Sequence, residues 1–210
     1  MRVRLASRLR GWALLAAIQP ALWMIAALPA RAQDTVYTLD AAQTQIHYEL
    51  SATLHTVHGV FKLKSGKIRF DAHTGKASGA IVVDATSGNS GTDSRDAKMH
   101  ASVIESARYP EFVFTPAHVK GAIPSGHGSP GASQMEVQGT FRIHGQDHPL
   151  TLIFQVQAPS GGELRASTNF SIPYVQWGMK NPSTFLLHVG EQVDVEVQAE
   201  GRLSETQAEN

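Results

Sequence analysis

Between residues 45 and 54 apolar and polar side chains alternate without a break. Ile46, Tyr48, Leu50, Ala52 and Leu54 fall on one side, and Gln45, His47, Glu49, Ser51 and Thr53 on the other. Successive strand side chains point to opposite faces, so this period of two predicts a strand with one wet and one buried face. The pattern returns in Met135, Val137, Gly139, Phe141 and Ile143, in Leu150, Leu152, Phe154 and Val156, and in Leu164, Ala166, Phe170 and Ile172. It closes the chain in Val193, Val195, Val197, Ala199 and Leu203, and shorter strands fit 68–70 and 77–85. About eight half-buried strands at this spacing predict an all-β chain, an antiparallel sandwich or barrel.

The segments between the stripes read as turns. Lys64-Ser65-Gly66-Lys67, His73-Thr74-Gly75 and His144-Gly145-Gln146-Asp147 carry hairpin chemistry, and 120–134, rich in Gly, Ser and Pro, reads as a mobile loop. Only 94–106 departs from strand spacing. Ala97, Met99, Ala101, Val103 and Ile104 fit a short helix capped by Asp93 or Ser94, and Pro110 turns Tyr109 back to extended geometry. A lid between two strands is expected there.

Charge and composition narrow the function. Lys and Arg number 18 against 18 Asp and Glu, which lacks the basic excess that nucleic acid demands. The first 32 residues obey other rules: Arg2, Arg4, Arg8 and Arg10, an apolar run from Trp12 to Leu28, then Ala30-Arg31-Ala32. This reads as a secretory signal cleaved after Ala32, leaving 33–210 as one exported, periplasmic domain. With no cysteine, that domain folds without disulfides.

Candidate chemistry concentrates in "SGTDSRDAKMHASVIESARYPEFVF", which places Asp93, Arg95, Asp96, Lys98, His100 and Glu105 just before an aromatic strand. No spacing there specifies a nucleophile with an oriented base, and neither a Gly-x-Ser-x-Gly elbow nor a His-Glu-x-x-His pair occurs. His55-x-x-His58 and His144-x-x-x-His148 fall short of the three or four ligands of a zinc site, so no metal and no other cofactor is assigned.

The same stretch, Asp-Ser-Arg95-Asp96 followed by a short apolar helix and "ARYPEFVF", resembles the mid-chain signature of the YceI-like family. "TLDAAQTQIHYEL", "VQGTFRIHGQDHPLTL" and "FSIPYVQWGMKNPSTFLLHVGEQVDVEVQAEG" resemble three more of its passages, in the same order. The resemblance implies a secreted, lipocalin-like antiparallel barrel of about eight strands, with a short helical lid, that binds polyisoprenoid lipids. Two departures touch lid and mouth: Val103-Ile104 stand where many members carry paired phenylalanines, and Gln176-Trp177-Gly178 lacks the usual charged residue before the glycine.

On that reading Ile46, Tyr48, Leu50, Leu54, Phe70, Phe112, Phe114, Phe141, Leu152, Phe154, Phe170, Trp177, Met179 and Val195 line a lipid tunnel, and Ala52, Ala80, Gly139 and Ala166 leave space in it. Arg95 and His100 are the candidate contacts to a polar head, since such a head needs donors. Tyr174, Trp177 and Met179 lie where Pro173, Gly178 and Pro182 forbid a strand, and act either as a hydrophobic plug or as a gate. The implied partner is an isoprenoid or other long-chain amphiphilic lipid; transient membrane contact and a homodimer are compatible with these features. A metal-assisted hydrolase using the surface histidines and a filled, ligand-free barrel are the competing readings.

Overall fold

The computed structural model describes residues 34–123, 131–159 and 162–206. Nine strands and one helical segment follow in order: β1 (Asp34–Leu39), β2 (Gln45–Ser51), β3 (Thr56–Asp71), β4 (Ala77–Asn89), α1 (Asp93–Lys98) continued by a π-helical turn (Met99–Val103), β5 (Glu111–Lys120), β6 (Gly131–Ile143), β7 (Gln146–Ala158), β8 (Glu163–Ile172) and β9 (Val193–Thr206). Every pairing is antiparallel, and the sheet closes on itself. β1 and β2 both lie between β3 and β9, with β2 on the first half of β3 and β1 on the second, so nine strands make the eight staves of a closed barrel.

The turn Asp40–Thr44 that splits this stave is held by Asp40, whose Oδ1 accepts from the amides of Ala42 and Gln43. The tightest hairpin joins β6 to β7 through thirteen paired positions, Gly131↔Ala158 to Ile143↔Gln146. Its two-residue turn, His144-Gly145, has φ of 51° and 76°, the doubly left-handed geometry that matches strand twist. Gly131 to Gln134 therefore belong to β6, not to a loop, because four pairs with β7 satisfy their backbone. At the other end of the expected 120–134 loop Lys120 is the last residue of β5, paired with Glu136; 124–130 lie outside the described residues, as does the expected signal segment 1–32.

A second correction concerns Lys64-Ser65-Gly66-Lys67, which is no hairpin turn. It lies inside the sixteen-residue β3, where the register against β4 slips between Leu63↔Val83 and Ser65↔Val82. One extra residue in a strand reverses which face the following side chains take. Phe61 and Leu63 therefore face inward before the bulge and Ile68 and Phe70 after it. The start of the helix also differs from expectation: Thr92 occupies the N-cap position, and its hydroxyl accepts from Arg95 Nη2 at 2.9 Å rather than from a helix amide.

The weakest seam lies between β7 and β8, which share only Gln155↔Ser167, Val156↔Ala166 and Gln157↔Arg165. Below that ladder no further β7–β8 pair forms among the described residues. Pro149, which has no N–H to give, sits on this stretch of β7 that β8 does not pair. Part of the seam is covered by the segment after β8, whose Trp177 stacks on His148 of β7 at 4.1 Å between ring centroids and 6° between planes.

Candidate ligand cavity

The inward faces of the staves enclose a cavity of about 530 Å³, within the range of small-molecule sites. β2 contributes Ile46, Tyr48 and Leu50, β3 Phe70, β5 Phe112 and Phe114, β6 Phe141, β7 Leu152 and Phe154, β8 Phe170 and β9 Val195. Met179, 3% exposed, joins them from the segment after β8. The rings form a chain, with Phe61 and Phe112 edge-on at 5.4 Å and Phe112 and Phe141 at 6.4 Å. Space remains because Ala52 and Ala166 carry little bulk on this wall.

Ala80 and Gly139, expected to leave space, do not line the cavity. A Cβ on Gly139 would lie 2.8 Å from the Phe114 ring and 2.4 Å from the Thr115 carbonyl, so the missing side chain is replaced by a neighbour.

Towards one end the lining side chains are buried, among them Tyr37, Val119, Met135 and Leu164, with the Tyr37 hydroxyl donating to the Leu164 carbonyl at 3.2 Å. At the other end the lining runs out to solvent-exposed His55, Ser94 and Lys98 and to Pro182 and Leu187. That mouth is framed by the β2–β3 turn, α1 and the 173–192 segment. Lys98 Nζ donates to the Pro182 carbonyl at 3.0 Å and ties two of the three together.

Polar groups on the wall are mostly spoken for. Tyr48 Oη reaches Met99 Sδ at 3.5 Å, and burial, then the Asp96 charge, push its hydroxyl up, so it stays neutral. Tyr174 Oη donates to the Gly190 carbonyl at 2.6 Å; burial and then Glu191 push it up to about 12. Thr168 is the exception: only 3% exposed, it lines the cavity and its Oγ1 has no hydrogen-bond partner among the described residues.

The charged cluster of 93–105 is a latch. Asp96 accepts from the Ser90 amide at 3.0 Å and from its hydroxyl at 2.5 Å, while Arg95 donates through Nε to Ser90 Oγ at 2.7 Å and through Nη2 to the Ser90 carbonyl at 2.9 Å. Burial pushes the Asp96 carboxyl up, but the two Ser90 bonds and the Arg95 charge outweigh it and hold it below its ordinary value. α1 is thus locked to the end of β4.

A family model for the YceI-like domain matches residues 37–201, from the first strand to the last. This chain belongs to the YceI-like family. No curated protein sequence matches it. Among solved structures, a polyisoprenoid binding domain from Saccharophagus degradans, implicated in plant cell wall breakdown, superposes with a TM-score of 0.62 at 20% identity, over 80% of this chain and 98% of that one. Burkholderia cenocepacia BcnA gives 0.59 at 15% identity, over 77% and 98%. A Campylobacter jejuni YceI protein gives 0.56 at 16%, over 74% and 88%. At these identities the likeness establishes a shared fold.

Three residues expected at the site of this YceI-like barrel lie elsewhere. Leu54 is 83% exposed, because β2 ends at Ser51 and the chain turns before the alternation does. Trp177 does not line the cavity: it stacks on His148, the cross-strand partner of Phe141 on the inward face, with its ring 6.2 Å from Phe141, and so packs against the core at the end of β6 and β7. His100 faces the protein, its Nε2 2.9 Å from the Gly88 carbonyl and its Nδ1 3.0 Å from Ser106 Oγ. Arg95 does reach the lining, with Nη1 uncommitted among the described residues.

Val103 and Ile104, which stand where many family members carry paired phenylalanines, line the cavity with smaller side chains. Sequence reading missed Tyr37, Leu39, Phe61 and Leu63. The alternation Val57, Gly59, Phe61, Leu63 was available, but a glycine in an apolar position and the bulge at Lys64 hid it. Among the described residues no three His, Cys, Asp or Glu side chains gather to hold a metal ion.

Proposed function

We propose that this chain is an exported, non-catalytic carrier that takes one long apolar lipid, an isoprenoid chain, out of water inside its barrel. The observation that carries the reading is the nearly all-apolar cavity of about 530 Å³, whose lining runs from buried side chains at one end to solvent-exposed His55, Ser94 and Lys98 at the other. A five-carbon isoprene unit leaving water for such a wall contributes about 4 kcal/mol gross, at about 0.8 kcal/mol per buried carbon. A few units therefore offset the roughly 4–15 kcal/mol cost of association.

The apolar chain enters first and the polar head stays at the mouth, where Arg95 and Lys98 offer donors. Burial is the whole mechanism; no bond is made or broken. The likeness to a polyisoprenoid binding domain supports the ligand class. The basic, apolar, small-residue order of residues 1–32 supports export to the periplasm.

Mass spectrometry of an organic extract of the purified protein is the test. A stoichiometric prenyl lipid is expected, and delipidated protein should rebind it. A lipid-free protein that also fails to take up added prenyl lipid would overturn the reading. Export is tested by N-terminal sequencing, with Gln33 as the expected first residue.

A further inference from the structure

The large apolar side chains that are almost fully exposed lie together beside the cavity mouth. Leu54 is 83% exposed at the tip of the β2–β3 turn, and Phe185 and Leu186 are 95% and 84% exposed in the segment after β8; among the described residues the other exposed large apolar ones, Val60 and Ile153, reach only 39% and 41%. The two tips are fastened to one another. The Thr53 amide donates to the His188 carbonyl at 2.9 Å, the His188 amide to Thr53 Oγ1 at 2.9 Å, and Ala52 bridges to Val189.

The exposure is built into the backbone. Thr184 and Leu187 close a tight turn, with the Thr184 amide donating to the Leu187 carbonyl at 2.8 Å and Thr184 Oγ1 accepting from the Leu187 amide at 3.2 Å. Phe185 and Leu186 occupy its two projecting positions, where polar residues and glycine are the rule. Their neighbours Leu187, Val189, Ala52 and Val57 line the cavity, so the patch is continuous with its mouth.

From this geometry we infer that the rim is a membrane-docking surface, Leu54, Phe185 and Leu186 entering the boundary between headgroups and acyl chains of a bilayer. The inserting tips carry no negative charge: no acidic residue occurs from 51 to 58 or from 179 to 190, and Lys180 lies in the second segment. Lys98 and Arg95 stand on the mouth, and the nearby carboxylates lie back from the tips, Asp93 and the latched Asp96 on α1, Glu49 at 3.0 Å from His58, and Glu191 after the second segment. Apolar insertion flanked by Lys and Arg is the usual physics of interfacial binding to anionic bilayers. Docked this way, the mouth opens onto lipid instead of water, and a prenyl chain passes between bilayer and barrel without crossing solvent. The purpose of the docking rests on the carrier reading; its test does not.

The test is flotation of the full chain with vesicles of phosphatidylethanolamine and phosphatidylglycerol, beside a Leu54→Ser, Phe185→Ser, Leu186→Ser variant. Both share one N terminus, so the comparison isolates the rim. The unaltered protein should float, and the variant should partition ~100-fold less, since three exposed apolar side chains are removed. All three sites are on the surface, so the variant should melt like the parent, and both should load farnesol equally in solution without vesicles. In a separate Phe185→Trp protein, brominated phospholipid should quench the indole at that position. Equal flotation of both chains, or no flotation of either, overturns the inference. So does a parent dimer in sedimentation that the variant abolishes with no vesicle partition in either, which would assign the patch to a second copy. Flotation of the parent with no farnesol loading would leave the docking standing and remove the carrier reading instead.

Discussion

Replacing Thr168 by valine removes one oxygen and keeps the branched shape. The residue is 3% exposed, lines an apolar cavity, and its hydroxyl has no hydrogen-bond partner among the described residues, one position beyond the last β7–β8 pair, Gln155↔Ser167. An unsatisfied buried hydroxyl costs about 1–3 kcal/mol, and valine fills the same space on a strand without that cost. The empty barrel should therefore gain about 1–2 kcal/mol. For a domain of this size 1 kcal/mol moves the melting temperature by roughly 2–4 °C, so a rise of about 2–8 °C is expected. Calorimetry on delipidated protein reads it directly, and urea unfolding gives the same quantity independently. Repeating the melt with prenyl lipid bound separates two roles: a hydroxyl that meets a ligand oxygen makes the gain shrink when the lipid is present. A valine variant that melts lower than the parent when empty would refute the reasoning, because it would mean that Oγ1 is satisfied in the folded protein.

Phe112→Ala, which removes a buried ring in contact with Phe61 and Phe141, should cost ~3–5 kcal/mol in urea unfolding, whereas Phe154→Ala, on a half-buried ring facing the cavity, should cost about 1–2 kcal/mol and enlarge the space for lipid. Trp177→Ala should lower the melting temperature by uncovering His148 and the β7–β8 seam while lipid retention per folded molecule holds; Met179→Ala, on the cavity wall, should change retention. The folded Asp96 carboxyl titrates below its unfolded value of about 3.9, so its contribution is complete above that pH and is lost as pH falls through the lower, folded value. Asp96→Asn should therefore be less stable at neutral pH and show a shallower loss below pH ~4, which acid unfolding of the two proteins compares.

Sequence periodicity by itself determined the all-β architecture, the inward stripes of β2, β6, β7, β8 and β9, and thereby most of the apolar wall around Tyr48, Phe141, Phe154 and Val195. Alternation is a local property, enforced by strand geometry wherever one face is buried. It fails where one residue is added: the bulge at Lys64 reversed the parity of β3 and looked like a turn. It also runs past the end of a strand, as at Leu54, since a turn is decided by what the next segment pairs with.

Closure of the barrel, the joint stave of β1 and β2, and the empty interior could be decided only in three dimensions. Whether an apolar stripe meets other side chains or open space depends on how eight staves curve around one axis, and no single stripe records that. The polar residues divided the same way. Arg95, Asp96 and His100 were legible as a cluster, but only the fold places Ser90, Gly88 and Ser106 within hydrogen-bond reach and turns His100 away from the cavity. Leu54 and Phe185, 131 positions apart, become one rim because the bonds between Thr53 and His188 draw their turns together.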